Sequence, residues 1–124
     1  MKDLTLSEVS RQNILNNKFA LQEVERNIGI QTVDFDNDMW LTKKQVQEFY
    51  EISESTIERH IERNSEELTK NGYKILRGKA LKDYKEHDAT FMSAGSKISV
   101  LGIFSFRAFL NLGMLLTESE NITT

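Results

Sequence analysis

The chain has 124 residues, 28% charged and 39% apolar, with a net charge of −3; this describes one globular domain with a modest core, not a disordered or fibrous chain. It contains no cysteine, so a disulfide framework and a thiolate metal site are both excluded, and a reducing cytoplasm is the expected setting. The mean charge argues against a protein that coats nucleic acid, yet it conceals an asymmetry. Residues 1–41 and 42–69 each sum to −3, residues 70–87 to +4 and residues 88–124 to −1.

The N-terminal MKDLTLSEVS lacks the apolar core and cleavage site of a signal peptide. Residues 7–28 are expected to form one helix, capped by Ser7, with Ile14, Leu21, Val24 and Ile28 on one stripe. The seven-residue repeat of Ile14, Leu21 and Ile28 suits either pairing between two copies or packing on the same domain. IQTVDFDNDMWL then alternates apolar and polar residues around an Asp-Asn-Asp turn, the pattern of a small hairpin. DFDND resembles the start of a calcium loop, but Met39 replaces the required Gly and Gln45 the final Glu. Asp34, Asp36 and Asp38 are therefore read as turn formers.

Thr42 and Gln45 have capping-box spacing, and Leu41 stands ready to staple against Val46, so a helix is expected from about Lys43. Its apolar residues are Val46, Phe49 and Tyr50, and it should stop near Glu51. Ser53 offers a second cap, Ile52 and Ile57 repeat the staple, and Ile57, His60 and Ile61 form the inner stripe of a helix reaching about Asn64. Two short helices so closely joined cross steeply, the helix-turn-helix arrangement.

NGYKIL reads as a turn and strand, and SKISVLGIF as a second strand. Between them lie some 20 residues bounded by Gly78 and Gly95, beginning with the basic block of Lys70, Lys74, Arg77, Lys79, Lys82 and Lys85. A hairpin with a long tip after a helix-turn-helix is expected to be a wing, carrying the positive charge that the second helix lacks. FSFRAFLNLGMLL should be a helix capped at Ser105, with Phe106, Phe109, Leu110 and Met114 inward. The apolar run over residues 98–116 contains Arg107 and Asn111, which oppose a membrane span and favour a strand followed by a helix. The chain thus divides into an N-terminal helix (1–30), a main domain (31–117) and a polar tail (118–124). The fold class is α+β, a mainly helical winged helix-turn-helix with small β-hairpins.

Enzyme chemistry finds no foothold in the residues. With two histidines and no cysteine, no metal-ligand spacing appears. AGSK lacks the gap and ending of a phosphate loop, and there is no nucleophile elbow. His60 is read as a packed structural histidine and Trp40 as a core anchor. No catalytic residue, metal, cofactor or small-molecule substrate is expected. For a second helix in a major groove, Ser55, Thr56, Arg59 and Arg63 are the contact candidates, with Arg59 suited to guanine. Lys43, Lys44, Lys74, Arg77, Lys79 and Lys82 are the candidate phosphate contacts. About six such contacts imply a log–log salt slope of roughly −5.

TVDFDNDMWLTKKQVQEFYEISESTIERHIERN resembles the DNA-binding region of the RhuM virulence-protein family, which is bacterial and prophage-borne. Trp40, Leu41 and Thr42 match its lead-in, and Ser53, Ser55, Thr56, Ile57, His60 and Ile61 match its second helix. The likeness covers residues 30–64 well and 97–116 loosely. The chain departs from the pattern at Gln47, Glu51 and Glu54. The resemblance implies a prokaryotic DNA-binding domain in a mobile-element or defence setting. The expected function is sequence-specific duplex DNA binding in the bacterial cytoplasm, at the nucleoid. The chain would be a transcriptional regulator or a DNA-targeting module, with duplex DNA and a second copy, paired through the N-terminal helix, as partners. The rival is a protein-interaction module with the same fold and no DNA affinity; a third reading is a fragment of an enzyme whose active site lies beyond residue 124.

Overall fold

The computed structural model describes residues 6–88 and 98–123, with residues 6 and 119–123 described by backbone alone. In chain order the elements are α1 (Leu6–Leu15), α2 (Lys18–Ile28), β1 (Val33–Phe35), β2 (Asp38–Thr42), α3 (Lys43–Tyr50), α4 (Glu54–Arg63), α5 (Ser65–Lys70), β3 (Lys74–Arg77), α6 (Gly78–His87), β4 (Val100–Ser105) and α7 (Phe106–Thr123). The fold is α+β: the strands form one antiparallel sheet in the order β1-β2-β4-β3. Trp40 pairs with Ser105, Leu41 with Phe104, and Ile75 with Gly102.

Each strand presents alternate residues to two cores. On one face Leu41 and Phe104 pack with Val46, Ile57, Leu68 and the α7 residues Phe109 and Leu112. On the other, Trp40, Leu76 and Ile103 pack with Leu81 and Tyr84 of α6. The helix pair and α6 thus lie on opposite sides of the sheet.

Local chemistry explains the central elements. Asp36 and Asn37 take φ of 51° and 59°, the two left-handed positions of a tight hairpin turn, for which Asn and Asp are suited. Thr42 caps α3 through a full capping box with Gln45, whose side chain also donates to the Gln31 carbonyl at 2.9 Å. Glu51 ends α3 in the left-handed region, and Ser53 caps α4 by accepting from the Thr56 amide at 3.1 Å.

The N-terminal expectation needs correction, since residues 7–28 form two helices. Asn17 leaves helical geometry at ψ 98° and its side chain accepts from the Ala20 amide; a short polar side chain competes well as a cap and breaks the run. Helix α1 also starts at Leu6, ahead of the expected cap Ser7. Val24 and Ile28 do pack on the core, but Ile14 is 53% exposed and Leu15 is fully buried instead.

A second correction concerns the expected wing. Residues 78–87 are helical, because Leu81 and Tyr84, three apart, bury one side of α6 against the sheet. The expected tip beyond it, with Gly95 and AGSK, lies outside the described residues. At the C-terminus Ser105 caps α7 by accepting from the Ala108 amide at 3.1 Å. Phe106 and Phe109 are buried as expected, Leu110 and Met114 are half-buried, and Ala108, Asn111, Leu112 and Leu115 complete the inner face. The supposed tail is helical through Thr123, and Glu118 pairs with Arg11 of α1. Among the described residues, no helix is long and apolar enough to cross a membrane.

Arg107 and Asn111, the polar interruptions of the apolar run, serve a buried layer. Arg107 donates to Asn71 Oδ1, the Leu15 carbonyl and Asn16 Oδ1 at 2.8, 3.0 and 2.6 Å. Asn111 accepts from Asn71 and donates to Glu67. These bonds tie α1, α5 and α7 together, and a buried polar group with partners avoids the cost of an unmet one.

Candidate nucleic-acid interface

Helix α4 is anchored inward by Ile57 and His60, which are 0% and 6% exposed. That anchoring leaves Ser55, Glu58, Arg59, Glu62 and Arg63 exposed on its outer side, while Thr56 is half-buried. Ser53 ties the two hydroxyls down: its Oγ lies 3.1 Å from Ser55 Oγ and donates to Thr56 Oγ1 at 2.9 Å. The two arginines are therefore the longer-reaching groups on this face, and neither has a hydrogen bond or ion pair with another described residue. Glu58 forms a bridge between helices rather than pairing within α4. Lys43 Nζ donates to Glu58 Oε1 at 3.0 Å, and this holds the Glu58 carboxyl below its ordinary pKa.

Lys43 is thus partly neutralised, whereas Lys44 beside it is exposed and unpaired among the described residues. Across α3 and α4 the acids Glu48, Glu51, Glu54, Glu58 and Glu62 outnumber the bases Lys43, Lys44, Arg59 and Arg63. His60 sits behind this face with its pKa lowered, chiefly by burial and further by Arg59 and Arg63, so the neutral imidazole is favoured.

The basic block does not join this surface as a unit. Lys74 lies on the α6 side of the sheet, 4.4 Å above the Trp40 ring and 3.2 Å from Asp36 Oδ2. It closes the hairpin rather than extending toward a ligand. Lys79 and Lys82 are exposed on α6, the layer across the sheet from α4, so they leave the candidate interface. Arg77 differs: it is exposed and shares a strand face with Ile75, opposite Val100 in the register, and that face looks toward α3.

Comparison of the chain with family models, with curated proteins and with solved structures finds no match. The candidate surface therefore rests on its own geometry. Among the described residues no group of three or more histidine or acidic side chains is placed to hold a metal ion.

Two features escaped the sequence reading. The amphipathic spacing of Leu81 and Tyr84 was present beneath the basic charges and would have placed α6. The groove between α3 and the β3–β4 pair, lined by Lys43, Lys44, Glu54, Ile75, Ile98 and Val100 with a volume of about 490 Å³, had no local signal. It depends on which strand face the helices leave uncovered.

Proposed function

We propose that the chain binds duplex DNA without catalysis, as a winged helix-turn-helix module that offers α4 to the major groove. The carrying observation is the uncovered outer side of α4, with Arg59 and Arg63 extended from a helix locked by Ile57 and His60. Further support comes from topology: α3, α4 and α5 lie between β2 and β3, and β4 pairs between those two strands. An inner-anchored second helix with a free outer face is how helix-turn-helix proteins reach base edges. Arg59 and Arg63 are assigned to base edges or phosphates, Ser55 and Thr56 to the helix start, and Lys44 and Arg77 to the backbone. Membership of the RhuM group, and a role as a prophage or mobile-element regulator, belong to this proposal.

The test is fluorescence anisotropy with a labelled duplex at two salt concentrations. With four cationic contacts the log–log salt slope should be about −3.6, at roughly 0.9 per phosphate. Arg59→Ala should weaken binding by about tenfold, the cost of one good arginine contact, while Lys79→Ala should leave it unchanged. Absence of binding at low salt refutes the proposal. The excess of acids across α3 and α4, together with the Lys43–Glu58 bridge, favours a second reading, a protein-interaction module of the same fold. That reading predicts the negative result.

A further inference from the structure

Large apolar side chains exposed in a small domain are commonplace singly and informative when they gather. Three of those exposed here, Ile75, Ile98 and Val100, at 50%, 44% and 47%, line one groove. Ile75 and Val100 lie on the sheet face that carries Leu41 and Phe104 further along, where α3 stops covering it. Tyr73 forms the floor: it is 8% exposed and crosses Gly102 so closely that a Cβ there would lie 2.9 Å from its hydroxyl. On the helix side Lys44 has no ion pair with a described residue, and Lys43 is bound toward α4 by Glu58. Arg77 is not among the lining residues; it follows Ile75 on the same strand face, pairs with Val100 in the register and also has no ion pair with a described residue. Glu54 is the acid among the lining residues.

We infer that this groove receives an acidic amphipathic segment of a protein partner, and that the occupant excludes DNA from the adjoining helix pair. A phosphate backbone would answer the charges of Lys44 and Arg77 but leave three branched aliphatic side chains without apolar partners. An extended segment with alternating apolar and acidic residues answers both. Its apolar side chains lie on Ile75, Ile98 and Val100, and its carboxylates face Lys44 and Arg77. Exclusion follows from sharing, because Lys44 is also assigned to DNA; this clause rests on the DNA reading, and the docking itself does not.

The experiment uses the whole chain and two short fluorescent peptides, one alternating leucine with glutamate and one alternating leucine with lysine. The acidic peptide should bind, the basic one should not, and excess acidic peptide should displace a labelled duplex. The pair Ile75→Ser, Val100→Ser should weaken acidic-peptide binding by at least about tenfold and change duplex binding by less than about twofold. Because both side chains are half exposed, the double variant should keep the wild-type circular dichroism spectrum and melting midpoint to within a few degrees.

Failure of the acidic peptide to bind, equal binding of both peptides, or indifference to the double variant overturns the docking site. Loss of duplex binding in the double variant, with the peptide unaffected, reassigns the groove to the sugar–phosphate backbone and also overturns it. If the chain binds the peptide but no duplex, the docking site stands and the DNA reading alone falls.

Discussion

Arg11 and Glu67, 56 positions apart, form a two-pronged buried ion pair: Nε donates to Oε2 at 2.8 Å and Nη2 to Oε1 at 2.7 Å. Both residues are 8% exposed, and the pair fastens α1 to α5, directly behind the helix pair. The guanidinium sits above its ordinary pKa because Glu67 binds it, against the opposing effect of burial, so the arginine stays charged. Removing Glu67 leaves the Arg11 guanidinium with Glu118 alone and takes the acceptor from the buried Asn111 amide. Glu67→Ala should therefore lower the unfolding free energy by about 3–5 kcal/mol, and Arg11→Met with Glu67→Met should cost less than that single change. Urea unfolding of the three proteins measures both differences.

Gly72 is the position where backbone and space both require glycine. Its φ is 119°, and a Cβ there would lie 2.1 Å from Ser105 Oγ. That hydroxyl donates to the Asn71 carbonyl and caps α7, so it cannot retreat without loss. Gly72→Ala should destabilise the fold by about 3 kcal/mol, visible as a large drop in melting midpoint.

At Glu51 the reverse holds. It occupies the left-handed region at φ 54° and closes α3 with its amide directed to the Gln47 and Glu48 carbonyls. Left-handed geometry suits glycine at a helix end and strains any side chain. Glu51→Gly should stabilise the protein by about 1 kcal/mol, which thermal unfolding reads directly.

His60 should make stability fall in mild acid. Burial, then the charges of Arg59 and Arg63, hold its folded-state pKa below the ordinary 6.5. As pH drops below that value the unfolded chain takes up the proton first. Stability is therefore full above it and declines as pH falls through the lowered folded pKa. Comparison of melting at pH 7.5 and 5 should show the decline in the wild type and a smaller one in His60→Gln.

On the proposed DNA reading, Glu58, which holds Lys43 at 3.0 Å, would compete with phosphate for that lysine. Removing its charge in Glu58→Gln should free the lysine, tighten duplex binding several-fold at low salt and steepen the salt slope by about 0.9. An unchanged slope would place Lys43 outside the interface.

Much of the centre was legible in the residues because its signals are local. Thr42 with Gln45, and Ser53 before Ile57, specify caps within one turn of chain, and both helix starts agree with the expectation. The Asp36–Asn37 turn is equally local. Asn16 and Asn17 were a helix break hidden inside an otherwise periodic stretch, and the break shows only because Asn17 turns its side chain to the Ala20 amide. Of the candidate site, Arg59, Arg63 and Lys44 lie exposed on or beside the helix pair. Lys74, Lys79 and Lys82 share sequence proximity with Arg77 but not a surface.

The sequence by itself determined where α3, α4 and the first hairpin begin and end, since caps, staples and tight turns act over three or four residues. Only the tertiary structure decided what each surface carries. Leu81 and Tyr84 fold the basic stretch onto the far side of the sheet, while Asn71, Asn111 and Arg107 find partners tens of residues away. Ile75 and Val100 are left bare because α3 ends short of them. Burial and the facing of charges depend on contacts between distant segments, and no pattern read within one segment contains that information.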